Sequence, residues 1–282
     1  MSDNATAPQT TRPPDQRPEA WSATAEDYHA FSANVTLPFA EDAARLVPIG
    51  ANTRVIDVAA GSGNFTFAAA RRGASVLATD FAPRMIELLR AEAEKKGLQD
   101  RVQTAVMDGQ HLDVADESFD VAASIFGVLF FPDQDRGLRE LRRVLIPGGR
   151  AVVSTWAAPP RGEMSAILGN AMSKALPNAP SPAGPPTWAA LGEASAFRQR
   201  MLDVGFSHAH VVELRHVWVF DTLDTFAGMI TRCAPPAVAL FAAMSAEQRA
   251  AFLDAVREDF RIRQGNGPYA VTHEALIAVG TK

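Results

Sequence analysis

The chain is expected to be an α/β protein, a Rossmann-like, seven-stranded, mostly parallel sheet with helices on both faces. Three observations predict this. The apolar run Val55-Ile56-Asp57-Val58 stops at a turn holding Gly61 and Gly63, and a helical pattern starts at Asn64. Strand, glycine turn, helix is how an open α/β sheet builds a ligand site at the carboxyl end of its first strand. Ser75 to Thr79 reads as the next strand and ends in an acid, Asp80. Val102 to Val106 reads as a third and runs into Met107-Asp108-Gly109-Gln110. Glycine lets the backbone approach a ligand closely, and the first N–H groups of a helix can face an anionic group.

The elements follow in order. Residues 1–20 are polar and carry Pro8, Pro13, Pro14 and Pro18, the pattern of a disordered tail. Trp21 to Val47 has helical spacing, with a break expected at Pro38; Tyr28, Phe31 and Val35 share a face. That segment, 21–50, is either a helix packed on the sheet edge or a lid. Strand one is Val55 to Val58, and its helix runs from Asn64 to Arg72 and stops at Gly73. Pro83 opens the helix after strand two, where its missing N–H is harmless. Strand four, Phe119 to Ile125, is apolar enough for a buried parallel strand. Asp133 caps a helix with Leu138, Leu141 and Leu145 inward, stopped by Pro147-Gly148-Gly149. Strand five is Ala151 to Trp156, which closes a core of 51–158. Strands alternating with helices at this spacing imply a parallel sheet covered on both faces.

Beyond strand five the pattern changes. Residues 159–193 are proline-rich and read as a lid or mobile loop. A helix, Ala194 to Val204, and a strand, His210 to Phe220, return to the core (194–220), and the last strand, Ala275 to Gly280, lies in 269–282. Between them, 221–268 reads as a helical cap. It holds the capping box Ser245-Ala246-Glu247-Gln248 and the apolar face Phe252, Val256, Phe260.

Composition excludes several classes. A net charge of −5 over 282 residues, without a Lys/Arg run, argues against a nucleic-acid surface. One cysteine, Cys233, excludes an intrachain disulfide and a cysteine metal cluster. No histidine, acid or cysteine spacing suggests a metal site. The N-terminus lacks a basic start and an apolar core, so it does not read as a signal peptide. The longest apolar run, Val121 to Phe131, is too short for a membrane span. A cytoplasmic protein is the expectation. Oligomeric state is not legible, and a homodimer remains open.

Three signals at successive strand ends resemble the class I S-adenosylmethionine (SAM) methyltransferases, in particular the branch with the ubiquinone/menaquinone-biosynthesis enzymes. The resemblance is good over Trp21 to Arg150. The family motif Asp-Val-Gly-Cys-Gly-Thr-Gly stands here as Asp57-Val58-Ala59-Ala60-Gly61-Ser62-Gly63, with Ala59 in place of the first glycine. A nicotinamide site is disfavoured, because Thr66 stands where a third glycine belongs.

The resemblance implies a cofactor and roles. Asp57 orders the loop and accepts from the SAM amino group. Ala59, Gly61 and Gly63 approach the methionine part. Asp80 takes the ribose hydroxyls, Phe81 and Met85 pack on adenine, and Asp108, Gly109 and Gln110 read its edge. Ser124 and Tyr28 complete the cofactor set. An N-terminal helix would close over SAM, with Trp21, Tyr28 and Thr36 as lid contacts. Phe126, Phe130 and Phe131 follow strand four, where the family places substrate, and Trp218 lies on the strand leading to the cap. No Asn-Pro-Pro-Tyr follows strand four, so methylation of nucleic-acid bases is disfavoured.

Methyl transfer from a sulfonium is an in-line displacement with a neutral leaving group. A base is needed only for hydroxyl, acidic carbon or protonated amine acceptors. His29, His111, His208, His210, His216 and His273 are available; position singles out His29, His111 and His216. The expected activity is methylation of a small apolar or aromatic acceptor on O, N or C. The alternatives are a SAM-binding regulator without transfer, and an enzyme coupling methylation to a step such as cyclisation.

Overall fold

A computed structural model describes residues 12–158, 163–178 and 187–282. Seven strands form one sheet: β1 (Arg54–Val58), β2 (Ser75–Asp80), β3 (Val102–Val106), β4 (Phe119–Ile125), β5 (Leu145–Trp156), β6 (His208–Phe220) and β7 (Tyr269–Thr281). Their order is β3-β2-β1-β4-β5-β7-β6. The pairings from β3 across to β5 are parallel, and β7 runs antiparallel to both β5 and β6. The order reverses between β1 and β4, which opens a crevice at their carboxyl ends.

Helices cover both faces. On one, α3 (Ala33–Leu46), α4 (Asn64–Ala70) and α5 (Pro83–Lys95) bury Ala43, Phe65, Phe67 and Leu89 against Val55, Val76 and Val121. On the other, α6 (Gln134–Val144) and α8 (Ala194–Asp203) bury Leu138, Leu141, Phe197 and Met201 against Ile56, Ala122 and Val153. Alternating residues of each strand serve opposite faces, which is why the strands are apolar throughout. Asp133 caps α6, its Oδ1 accepting from the Arg136 N–H at 2.9 Å.

β6 and β7 outrun the sheet. β5 pairs with residues 275–281 of β7, whereas β6 pairs with all of Tyr269–Thr281. The excess forms a two-stranded arm that reaches into a helical cap. That cap consists of α7 (Glu163–Ala175), α9 (Leu223–Arg232), α10 (Pro235–Ala243) and α11 (Ala246–Gln264). Its core packs Phe220, Phe226, Phe260 and Val271. The capping box at Ser245 forms as its spacing implies, with reciprocal bonds of 2.8 and 3.2 Å to Gln248.

Five expectations need correction. The helix capped by Asp133 ends at Val144, and Leu145 and Pro147-Gly148-Gly149 belong to β5 rather than to the helix and its stop. The tail expected over 1–20 is structured in its described part: a 3-10 turn spans Pro14–Gln16 and α1 spans Pro18–Ala23. The helix break expected at Pro38 is absent. α3 runs through it, and the irregularity falls earlier, in α2 (Ala25–Asp27) and a π-turn over Tyr28–Ser32. The 159–193 connection holds α7, packed on α11; residues 159–162 and 179–186 of that expected lid lie outside the described residues. β7 starts at Tyr269, six residues before the expected Ala275, because pairing with β6 sustains a strand that no sheet core demands. Among the described residues no single helix is long and apolar enough to cross a membrane; α9 and α10 pass that test only as a pair bent by 95°.

Candidate cofactor and acceptor site

The turn after β1 is built around an unusual backbone. Ala59 adopts φ +56° and Gly61 φ +55°. The Ala60 N–H donates to Thr79 O at 2.9 Å, and the Gly63 N–H donates to Ala60 O at 3.0 Å. The Gly61 N–H donates to Asp80 Oδ2 at 2.9 Å, so the end of β2 holds the turn in place. Asp80 Oδ1 also accepts from the Ala82 N–H at 2.9 Å. A Cβ added at Gly61 would stand 3.3 Å from the Tyr28 ring, a tight contact that Tyr28 would have to yield to by a few tenths of an ångström.

Ala59 is tolerated because its neighbour has no side chain. A Cβ on Gly127 would fall 2.5 Å from the Ala59 methyl and 2.6 Å from Ser124 Oγ. A left-handed conformation costs a residue with a Cβ about 1–2 kcal/mol. Ala59→Gly is therefore expected to raise stability by about 1 kcal/mol, or roughly 2–4 °C in Tm. Gly127→Ala is expected to be strongly destabilising and partly rescued by Ala59→Gly. Thermal unfolding of the four proteins in this cycle checks it.

A cavity of about 800 Å³ opens at the carboxyl ends of the central strands, within the range of small-molecule sites. Of the expected cofactor residues, Tyr28, Ala59, Gly61, Asp80, Phe81, Met85, Asp108, Gly109 and Gln110 line it. Of the expected acceptor residues, Trp21, Phe126, Phe130 and Phe131 line it, and so does Thr36. Trp21 is wedged edge-on between Tyr28 (5.9 Å) and Phe130 (5.1 Å), with its indole N–H donating to Asp15 O at 2.8 Å. Phe126 stacks on Trp156 at 3.9 Å and adopts φ +58°. Its N–H donates to Ser154 Oγ at 2.9 Å. Asp108 Oδ1 accepts from the Gln110 N–H at 2.9 Å, and Gln110 Oε1 accepts from the Asp133 N–H at 2.9 Å.

Two buried carboxylates dominate the electrostatics. Burial pushes Asp80 up to about 6, against the backbone N–H groups that favour its charge. Burial likewise pushes Asp57 up to about 7, although Thr66 donates to its Oδ2 at 2.6 Å. Tyr28 is pushed up to about 12, again by burial. Two carboxyls close to neutral pH in one crevice are the pattern of a functional site.

Other expected residues lie elsewhere. Asp57 borders a small side pocket with Thr36, Ser62 and Asn64, adjoining the main cavity through Tyr28. Gly63 caps α4 beneath the turn. Ser124 is fully buried behind the wall, its Oγ making no hydrogen bond with described residues. Trp218 is packed in the cap core, 4.6 Å from Phe220 and 6.2 Å from Phe226, because the alternation of β6 turns it to the cap helices. His29 turns to Glu92 on α5, at 3.9 Å. His111 is exposed on a bridge to Asp108. His216 pairs with Asp42 at 2.7 Å against the Phe39 ring. None of these three histidines lines the cavity; His273 does.

Sequence reasoning also missed Met107, Trp156, Met164, Leu168 and Met229, which line the cavity. The alternation Val271, His273, Ala275 along one face of β7 was the available signal for His273. Among the described residues no group of three His, Cys, Asp or Glu side chains could hold a metal ion.

The core of the chain is similar to known proteins. Residues 56–153 match the family described as "Methyltransferase domain". The match covers about a third of the chain. An uncharacterized protein of Mycobacterium tuberculosis is 39% identical over 130 residues, 46% of this chain and 47% of its own. The demethylmenaquinone methyltransferase of Thermus thermophilus is 37% identical over 126 residues, 44% of this chain and 56% of its own. The matches thus span about half the length of these relatives. The YcgJ protein of Bacillus subtilis shares the fold, with a TM-score of 0.58 over 88% of this chain and 97% of that one, at 17% identity. β1 and its glycine turn open the matched stretch and β5 closes it. The helices of α1 to α3, the arm and the cap lie outside it and supply the other walls of the cavity.

Proposed function

We propose that this chain transfers a methyl group from SAM to a small, largely apolar acceptor. The observation that carries this reading is one cavity with two unlike ends. One end is polar, with Asp80 holding the glycine turn and Asp57 behind it. The other is apolar, lined by Phe126, Trp156, Met164, Leu168 and Met229.

The residues fit the cofactor. An ionised carboxylate has about four acceptor sites, and Asp80 commits one oxygen each to Gly61 and Ala82. Acceptor capacity remains for ribose hydroxyls. Asp57, buried beside the turn, supplies negative charge for the ammonium group. Phe81 and Met85 form an apolar wall for adenine beside Asp108. Bound here, SAM would present an electrophilic methyl group on a cationic sulfonium.

The protein's own work is then positional. Aromatic faces at Tyr28, Trp21 and Phe126 exclude water and suit a cationic centre. The apolar chamber aligns the acceptor, and alignment alone removes much of a displacement barrier. Pro18 and Trp21 of α1 and Tyr28 of the following π-turn line the cavity, so we infer that this segment acts as its lid. The net charge of −5 and the apolar lining of the chamber favour a small molecule over a nucleic acid as acceptor.

The test is incubation with methyl-labelled SAM and an extract of the source organism. Label in an organic-soluble small molecule is the expected result, and its mass names the acceptor. Label in protein or nucleic acid would overturn the acceptor class. SAM binding with no labelled product from any extract fraction would favour a cofactor-binding regulator.

A further inference from the structure

The apolar chamber contains a polar group that no described residue satisfies. His273 lies on the β6–β7 arm and lines the cavity with Thr272 and Glu274. Its residue is only 8% exposed. Nε2 is buried and makes no hydrogen bond with described residues. The ring sits 5.8 Å from Trp156 and 6.4 Å from Trp218, so aromatic surfaces rather than polar partners surround it.

The nearby charges are engaged elsewhere. Glu274 pairs with Arg215 at 3.7 Å. Glu163 Oε2 accepts from the Thr272 N–H at 3.1 Å, and its other oxygen lies 3.5 Å from Arg263. With no carboxylate partner among the described residues, burial drives the imidazole to its neutral form, with its pKa pushed down to about 4. A neutral imidazole has one donor and one acceptor nitrogen. Leaving such a group unpaired is costly, and the protein keeps it at the wall of a cavity.

We propose that His273 selects the acceptor: it receives an uncharged, aromatic-sized molecule bearing a hydroxyl, which hydrogen-bonds the imidazole while its body fills the chamber beside Trp156. This rests on the methyltransferase reading for the word acceptor, but the binding preference stands on the chamber itself. A hydroxyl is the complementary group because it can donate or accept, and so suits the ring nitrogen it meets in either tautomer. A charged acceptor is disfavoured, since the nearby charged side chains are already paired with one another.

The test uses 2-naphthol and 2-methylnaphthalene, which share a body and differ in the hydroxyl. Binding is measured by tryptophan fluorescence, with and without S-adenosylhomocysteine, so the comparison holds whether or not that cofactor product binds. Wild type is expected to bind 2-naphthol about tenfold more tightly, the effect of one buried hydrogen bond. His273→Phe is expected to abolish the preference while keeping affinity for 2-methylnaphthalene. His273→Gln, which keeps a donor and an acceptor, is expected to retain most of it. Equal binding of both probes by wild type, no binding of either, or a preference that survives in His273→Phe overturns the proposal. Failure of S-adenosylhomocysteine to bind wild type would instead count against the cofactor reading.

Discussion

Asp80→Ala is expected to weaken S-adenosylhomocysteine binding at least tenfold, measured by titration calorimetry. Two effects act together. Hydrogen bonds to a charged acceptor are worth about 1.5–3 kcal/mol each, and ribose hydroxyls would lose that acceptor. The Gly61 and Ala82 N–H groups also lose theirs, so the turn after β1 is no longer pinned to the end of β2. The buried carboxylate itself is costly to keep ionised, as its raised pKa shows. Folding stability is therefore expected to change less than affinity. An unchanged affinity in a folded variant would remove Asp80 from the cofactor site.

Affinity for the same ligand is expected to fall at least tenfold between pH 8 and pH 5. In the ligand-free protein Asp80 is pushed up to about 6 and Asp57 to about 7. At pH 8 both are ionised and ready to accept hydroxyl and ammonium donors. At pH 5 both are mainly protonated, so binding must expel protons. Each expelled proton costs about tenfold in affinity per pH unit below its pKa. The sign is fixed by burial: these carboxyls titrate above their ordinary range, so the loss begins near neutrality rather than near pH 4. Asp57→Asn is expected to flatten the profile, because it removes the higher of the two transitions. A pH-independent affinity over this range would mean that neither carboxylate meets the ligand.

The core was legible because its signals are local. Val55 to Val58, the glycines at 61 and 63, Asp80, and Asp108 with Gly109 each sit at a strand end that its own apolar run defines. Parallel β strands buried on both faces are apolar almost throughout, and glycine is favoured where the backbone turns left-handed. Those demands are written in the chain within a few residues. The same holds for the Asp133 cap and the Ser245 capping box.

The acceptor end was less legible because it is made by long-range packing. Trp218 and His216 share a face of β6 by alternation, yet one enters the cap core and the other pairs with Asp42 from α3. Only the position of those distant helices separates them. His273 is not among the three histidines that position singles out; the arm, which extends β7 back to Tyr269, brings it to the cavity wall. Ala59 stands in place of the motif's first glycine; the structure matches it with Gly127, 68 positions later, so the cost of the methyl depends on a contact across the crevice.

The sequence by itself thus determined the parallel α/β sheet, its glycine turn and the acids at its strand ends, because backbone geometry and burial impose them locally. Tertiary structure alone decided which aromatic, methionine and histidine side chains share the chamber. Those residues come from α1, β5, α7, α9 and β7, and no spacing rule within one element can say that their side chains meet.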